Sequence, residues 1–180
     1  LTLTWLQPEH QALVVEMGMS ARGEIRALAA MAKPSVGVLT NAAAAHLERL
    51  GSLEEIARAK SELAESLPAD GLLVLNADDS LLWPMNRNRP VRKRSYALDN
   101  AEADLRPARV ALTATGGSRF TLGDGTEIAL SLLGLHNVRN ALASIAVGDE
   151  FDVPRERAAT ALAALRPAKH RLELIRAGGV

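Results

Sequence analysis

Cysteine is missing from this chain altogether. That excludes a disulfide framework and any thiolate-held metal, and it fits a cytoplasmic protein. Net charge is missing too, since 21 Lys and Arg balance 21 Asp and Glu across 180 residues. Such a balance argues against a broad surface for nucleic acid or anionic membrane, while leaving room for a local phosphate site. No apolar run approaches the ~18 residues that would span a bilayer, and no secretion signal opens the chain. Neither phosphate-cradling pattern, G-x-x-x-x-G-K-S/T or G-x-G-x-x-G, occurs. No nucleophile elbow and no H-E-x-x-H occurs either.

What is present is an ordinary globular balance, 48% apolar and 23% charged, long enough for one domain with a buried core. The chain opens on Leu1-Thr2-Leu3-Thr4-Trp5-Leu6 and closes on Gly178-Gly179-Val180. Both ends read as cuts through a longer protein.

The first third alternates short apolar runs with helical stripes. Ala12 to Glu16 has the pattern of a buried strand ending on an acid. Ser20 can cap a helix whose stripe is Ile25, Leu28, Ala29 and Ala32, stopped by Pro34. Val36 to Thr40 is a second buried strand. Ser52-Leu53-Glu54-Glu55 is a capping box opening a helix to about Leu67. Leu72 to Leu75 is a third strand, running into Asn76-Ala77-Asp78-Asp79. Continuous apolar strands alternating with helices predict a mostly parallel sheet flanked by helices, an α/β fold.

The pattern then changes. Asn86 to Arg94 carries five Arg or Lys and reads as a solvated connection. Ala108 to Ala114, Ser118 to Leu122 and Thr126 to Leu132 are strand-like, with turn signals at Gly116-Gly117 and Asp124-Gly125. An antiparallel portion is therefore expected over about residues 92–133 of one domain covering 1–180. Asn137 can cap a helix with the stripe Val138, Ala141, Leu142, Ile145 and Ala146. Pro154 suits the first turn of another, with Ala158, Ala161, Leu162 and Leu165 on one face.

Ligands of open parallel sheets bind at the carboxyl ends of the strands. Glu16, Thr40-Asn41 with His46 shortly after, and Asn76 with Asp78-Asp79 fall there. Taken singly, each is also an ordinary loop or capping residue. Lys60 stands out on physics alone. Its helix has the stripe Leu53, Ile56, Ala57, Lys60, Leu63, Ala64 and Leu67, so an ammonium sits on the buried face. That is costly unless the group is paired or modified, the alternative being a stem that packs inward while its head snorkels to water. His136, Asn137 and Asn140 cluster at a helix start, and capping by Asn137 leaves Asn140 unexplained. His170-Arg171 is a third candidate pair.

In order along the chain, Glu16-Met17-Gly18-Met19-Ser20, Thr40-Asn41, Ala45-His46-Leu47-Glu48, Ala59-Lys60-Ser61-Glu62, Leu75-Asn76-Ala77-Asp78-Asp79, Gly134 to Ala143 and His170-Arg171-Leu172-Glu173 resemble the motif series of the Mur ligase family. Its central, ATP-binding domain is the part resembled. The wording is most similar to the member that adds D-alanyl-D-alanine to UDP-N-acetylmuramoyl-tripeptide. The resemblance implies an ATP-dependent amide ligase that works through an acyl phosphate. It further implies Mg2+ held near Glu16 and His46, a carbamylated Lys60 beside the metal, and nucleotide contacts from His136, Asn137, Asn140 and Arg171. Lys60 and His46 would then serve the catalysis itself. Ala42-Ala43-Ala44 departs from the family wording, and the family's phosphate loop would lie upstream of Leu1, so the isolated chain is expected not to ligate. Two alternatives stand beside this reading. One is a non-catalytic relative that binds a nucleotide or a partner; the other is a different ligase of the superfamily, of the Mur, folyl or cyanophycin type.

Overall fold

The computed structural model describes residues 6–43, 47–114 and 116–166. The chain divides into two compact units. Unit 1 takes residues 1–75 and 79–93; unit 2 takes 76–78 and 94–180.

Unit 1 carries helix α1 (Glu24–Ala32), strand β1 (Val36–Leu39), the short α2 (Leu47–Leu50), α3 (Leu53–Glu65), β2 (Leu72–Asn76) and α4 (Leu82–Asn86). β1 and β2 pair in parallel, Val36 opposite Leu72 through Leu39 opposite Leu75. Every residue of β2 is buried, as a strand covered on both faces should be. Ile56, Ala57, Ala59 and Ala64 of α3 supply much of the apolar core, with Leu39, Leu73, Leu75 and Leu82. Gly37 lets α3 lie close on β1, because a Cβ there would stand 3.1 Å from Leu63 and 3.2 Å from Leu67. Ser52 opens α3 with its hydroxyl accepting the Glu55 N–H at 3.2 Å, one half of the expected capping box, while the Glu55 carboxylate pairs with Arg58 and Arg22.

Arg92–Tyr96 forms β3, the last strand of a sheet ordered β1-β2-β3. In unit 2, β4 (Pro107–Leu112), β5 (Ser118–Leu122) and β6 (Glu127–Leu130) build an antiparallel sheet in that order. Phe120 sits opposite Val110 on one side and Ile128 on the other. Helices α5 (Leu135–Glu150) and α6 (Arg155–Ala164) complete the unit, α6 lying against β6. Buried Phe120, Leu122, Ile128, Leu130, Val138, Leu142 and Ile145 fill its interior.

Several local expectations are revised. Ala12 to Glu16 forms no strand, and Val14 is 91% exposed. An apolar run becomes a strand only when a neighbour exchanges ladder hydrogen bonds with it, and none does so among the described residues. Ser20 does not cap α1; Gly23, at φ 89°, is the capping position. Asn137 does not cap α5, which begins earlier, on Gly134 at φ 86° and ψ 153°. That region is open essentially to glycine alone, and it turns the chain so that Asn137 falls inside the first turn. The basic run after Asn86 is not all solvated connection, since its last three residues start β3. On α6 only Leu162 of the expected stripe is buried, and Leu165 is exposed.

Candidate active site

In unit 1 the polar groups collect around the ends of β1 and β2. Asp79, three residues past the end of β2, organises this region. Its Oδ2 accepts the N–H of Ala42, in the loop leaving β1, at 2.7 Å. Its Oδ1 accepts the N–H groups of Leu81 and Leu82 at 3.1 and 2.8 Å and so holds the start of α4. One carboxylate thus fixes the loop of Thr40-Asn41 and a helix that the sequence reading lacked. Asp79 before a short apolar run with Pro84 in its first turn was the available signal.

Lys60 lies half-buried on α3, as its place in the stripe predicts. Burial pushes its amine below the usual lysine range, and the Asp79 carboxylate pulls the other way. It makes no hydrogen bond or ion pair with any described residue. Two residues on, Glu62 is 2% exposed. Both its oxygens accept the Gly23 N–H, at 2.8 and 3.0 Å, and Oε2 also accepts the Arg26 N–H at 3.2 Å. The first N–H groups of a helix have no partner within it, and here an acid from α3 supplies one to α1. The Glu24 carboxylate in turn holds the N–H of Ser20 and of Ala21, at 2.5 and 3.2 Å. The stretch from Ser20 into α1 is therefore tied down by two acids, one of them on the helix that carries Lys60.

Glu16 is exposed and has no hydrogen bond or ion pair with the described residues. His46 and Arg171 lie outside the described residues. No group of three or more His, Cys, Asp or Glu among the described residues is arranged to hold a metal ion.

Unit 2 brings the other predicted set together. On the first turns of α5, Asn137 Nδ2 lies 3.2 Å from His136 Nε2 and donates to Leu133 O at 2.8 Å. Asn140 Nδ2 donates to Asn137 Oδ1 at 3.4 Å. His136 and Asn140 are exposed, and Asn137 is half-buried. Three side chains thus form a polar, solvent-facing strip with both donors and acceptors, which suits the edge of a heterocycle. Gly134 is required beneath it, because a Cβ there would sit 2.8 Å from the His136 ring.

Asp78, expected at the end of the third strand, and Arg139, which the sequence reading did not single out, meet beside this strip, Arg139 lying between Asn137 and Asn140 on α5. Asp78 Oδ1 accepts the N–H groups of Asp99 and Asn100, and Oδ2 accepts those of Leu98 and the Arg139 Nε–H at 3.1 Å. Burial opposes ionisation of Asp78. The N–H groups of Leu98 and Asn100, then Arg139 and the Asp99 N–H, outweigh it and hold the carboxyl below the usual range.

Residues 1–148 match the Mur ligase middle domain family. The chain is 38% identical over 170 residues to UDP-N-acetylmuramoyl-tripeptide–D-alanyl-D-alanine ligase of Mycobacterium tuberculosis (strain ATCC 25618 / H37Rv), covering 92% of this chain and 33% of that protein. It is 36% identical over 177 residues to the enzyme of the same name from Bacillus subtilis (strain 168), covering 98% and 38%. Among solved structures, MurF from Acinetobacter baumannii superposes with a TM-score of 0.86 at 27% identity, over 95% of this chain and 38% of that one. The chain therefore spans 33–38% of the length of these relatives. With the family model matching residues 1–148 and both sheets shared with the solved relative, this chain belongs to the Mur ligase family and corresponds to that family's middle domain.

Proposed function

We propose that this chain is the nucleotide-binding core of an ATP-dependent amide ligase that joins D-alanyl-D-alanine to UDP-N-acetylmuramoyl-tripeptide in peptidoglycan synthesis, in the cytoplasm. The observation that carries the reading is the 36–38% identity, across 92–98% of the chain, to relatives named for that reaction. In the reaction a substrate carboxylate oxygen attacks the γ-phosphorus of ATP and ADP leaves. The amine then attacks the acyl phosphate, the amide bond forms and phosphate leaves.

Within this scheme the strip of His136, Asn137 and Asn140 receives the adenine edge, and Arg171 contacts the ribose or phosphates. Glu16 and His46 hold Mg2+, whose chemistry is to offset charge on the phosphoryl oxygens. The residues fit the ion in kind. Glu16 offers a carboxylate with no competing partner among the described residues. The Lys60 amine is shifted by burial toward the neutral form, and only the neutral amine can attack carbon dioxide. The C–N bond forms, a proton leaves, and a buried cation becomes an anion able to face a metal. That change removes the cost of an unpaired ammonium on the inner face of α3.

The test is phosphate release by the full-length protein supplied with Mg-ATP, the UDP-tripeptide and D-alanyl-D-alanine. Release that needs all three, with a product heavier by the dipeptide, is expected. ATP binding without turnover would move the chain to the non-catalytic reading. Turnover with a different amine would move it to another ligase of the superfamily.

A further inference from the structure

The strip on α5 is held unevenly by its own bonds: Asn137 Nδ2 donates to Leu133 O at 2.8 Å, whereas Asn140 has a weaker tie. α5 starts on Gly134 with no side-chain cap, and the Asn140–Asn137 hydrogen bond is long, at 3.4 Å. Buried Val138 and Leu142 hold the inner face of these turns, and the polar tie on their flank is Arg139, whose Nε–H reaches Asp78 Oδ2 at 3.1 Å and whose Nη2 reaches the exposed Asp99 at 3.4 Å. Asp78 is itself a rigid anchor. Its side chain is only 9% exposed, and it accepts three consecutive backbone N–H groups, from Leu98 at 2.7 Å, Asp99 at 3.1 Å and Asn100 at 2.9 Å. Asn100 closes the same turn by donating to Ala77 O at 2.8 Å.

We propose that Asp78 and Arg139 are a positioning pair that sets the rotation of α5, and with it the angle at which Asn137 and Asn140 meet the adenine of ATP. The proposal rests on the nucleotide reading of that strip. Successive helical residues are set about 100° apart, so a helix pinned at Arg139 has Asn140 and Asn137 pinned with it. Stability is not what the pair chiefly supplies. Arg139 is a third exposed, and an ion pair whose cation is open to solvent adds little to folding. Its effect falls on geometry, to which directional amide contacts are sensitive.

The experiment uses the full-length protein. ADP affinity is measured by calorimetry, melting temperature is read alongside, and KM for ATP and kcat are taken where turnover is found. Asp78 also holds backbone, so Asp78→Asn lowers the melting temperature as well; Arg139→Ala leaves those backbone bonds intact and is the deciding variant. Arg139→Ala is expected to weaken ADP binding by roughly five- to tenfold, the equivalent of about one ordinary hydrogen bond, and to raise KM for ATP more than it lowers kcat. Arg139→Lys should recover part of the affinity, and the melting temperature of both variants should stay near wild type. Asn140→Ala is the control for the underlying reading. If Asn140→Ala weakens ADP binding while Arg139→Ala does not, the pair has no positioning role and the proposal alone falls. If Asn140→Ala leaves ADP affinity unchanged, the nucleotide reading of the strip falls and takes the pair with it. Loss of affinity that tracks a fall in melting temperature, with no recovery by Arg139→Lys, would reduce the pair to a structural one and overturn the proposal.

Discussion

Glu62→Ala removes the acid that joins α3 to the start of α1, and its cost can be worked from three distances. The Gly23 N–H is shared by both oxygens, at 2.8 and 3.0 Å, and counts as one strong bond; the Arg26 N–H, at 3.2 Å, is a weaker second. Hydrogen bonds to a charged acceptor contribute about 1.5–3 kcal/mol each, and loss of a helix cap costs about 0.5–2 kcal/mol, so the two overlapping descriptions put the gross loss near 4 kcal/mol. Freeing a Glu side chain returns about 1.5 kcal/mol of rotamer entropy. Gly23 is only half-buried, so water can reach part of the vacated space. A net loss of about 2.5 kcal/mol at most remains, equivalent to a fall in melting temperature of roughly 5–10 °C for a chain of this size. Glu62→Gln keeps the shape and one acceptor but loses the charge at the α1 dipole, and should cost about half as much. Urea unfolding gives the global number, and amide hydrogen exchange at Gly23 and Arg26 gives the local one. A loss below about 1 kcal/mol, with exchange at Gly23 unchanged, would refute the account, because it would mean that α1 is held by its apolar face alone.

Gly134→Ala should cost about 2 kcal/mol or more, since it forces a side chain into a glycine-only backbone region with its Cβ 2.8 Å from the His136 ring; a calorimetric melt within a degree of wild type would contradict this. Asp124 is held down to about 2 from its ordinary 3.8 by the Thr126 backbone N–H, then the Thr126 side chain and Arg155. Because the folded value is the lower one, its contribution is present above about pH 4 and is lost as pH falls toward 2. An NMR titration of the Asp124 carboxyl should show that low midpoint, and one near 3.8 would remove Asp124 from acid stability. Lys60→Ala in the full-length protein should lower kcat steeply while leaving ADP affinity nearly unchanged. Incubating the wild type with 13C-bicarbonate should give a carbamate resonance that Lys60→Ala lacks. Wild-type turnover in that variant would take Lys60 out of the mechanism.

Elements whose interactions are local in sequence were legible in it. The Ser52 cap, β1, β2, β5 and the middle of the α3 stripe follow from spacing alone, because their burial is set within a dozen residues, whereas Leu53 at the head of that stripe is exposed. Ala12 to Glu16 was not legible, because its apolar pattern says what it could bury and not whether a ladder partner is present. Asn137 was placed in the right neighbourhood and given the wrong task. A cap is chosen by backbone angles, and Gly134 satisfies the turn without any side-chain oxygen. The strip of His136, Asn137 and Asn140 survived that error, since spacings of one and three put the residues together whether or not the helix starts among them.

The adjacent acids Asp78 and Asp79 show why the rest stayed hidden. Sequence alone presents them as one acidic pair after a strand, and a pair of carboxylates invites a shared metal or shared acid-base role. In the structure they do separate work. Asp79 takes the N–H of Ala42 and starts α4 in unit 1, whereas Asp78 takes the Leu98–Asn100 turn and Arg139 in unit 2. Each partner lies 20 or more residues away except those of α4, and no periodicity reaches that far. The same holds for Glu62, whose bonds span 36 and 39 residues. Among the described candidate groups, Lys60 lies on the stripe of α3 and His136, Asn137 and Asn140 on the first turns of α5, where local rules find them. The groups that aim them are buried acids gathering backbone N–H from distant loops, and such acids resemble surface residues until the fold is known. A buried acid that accepts three or four hydrogen bonds is therefore a better marker of how this site is held than of what it does.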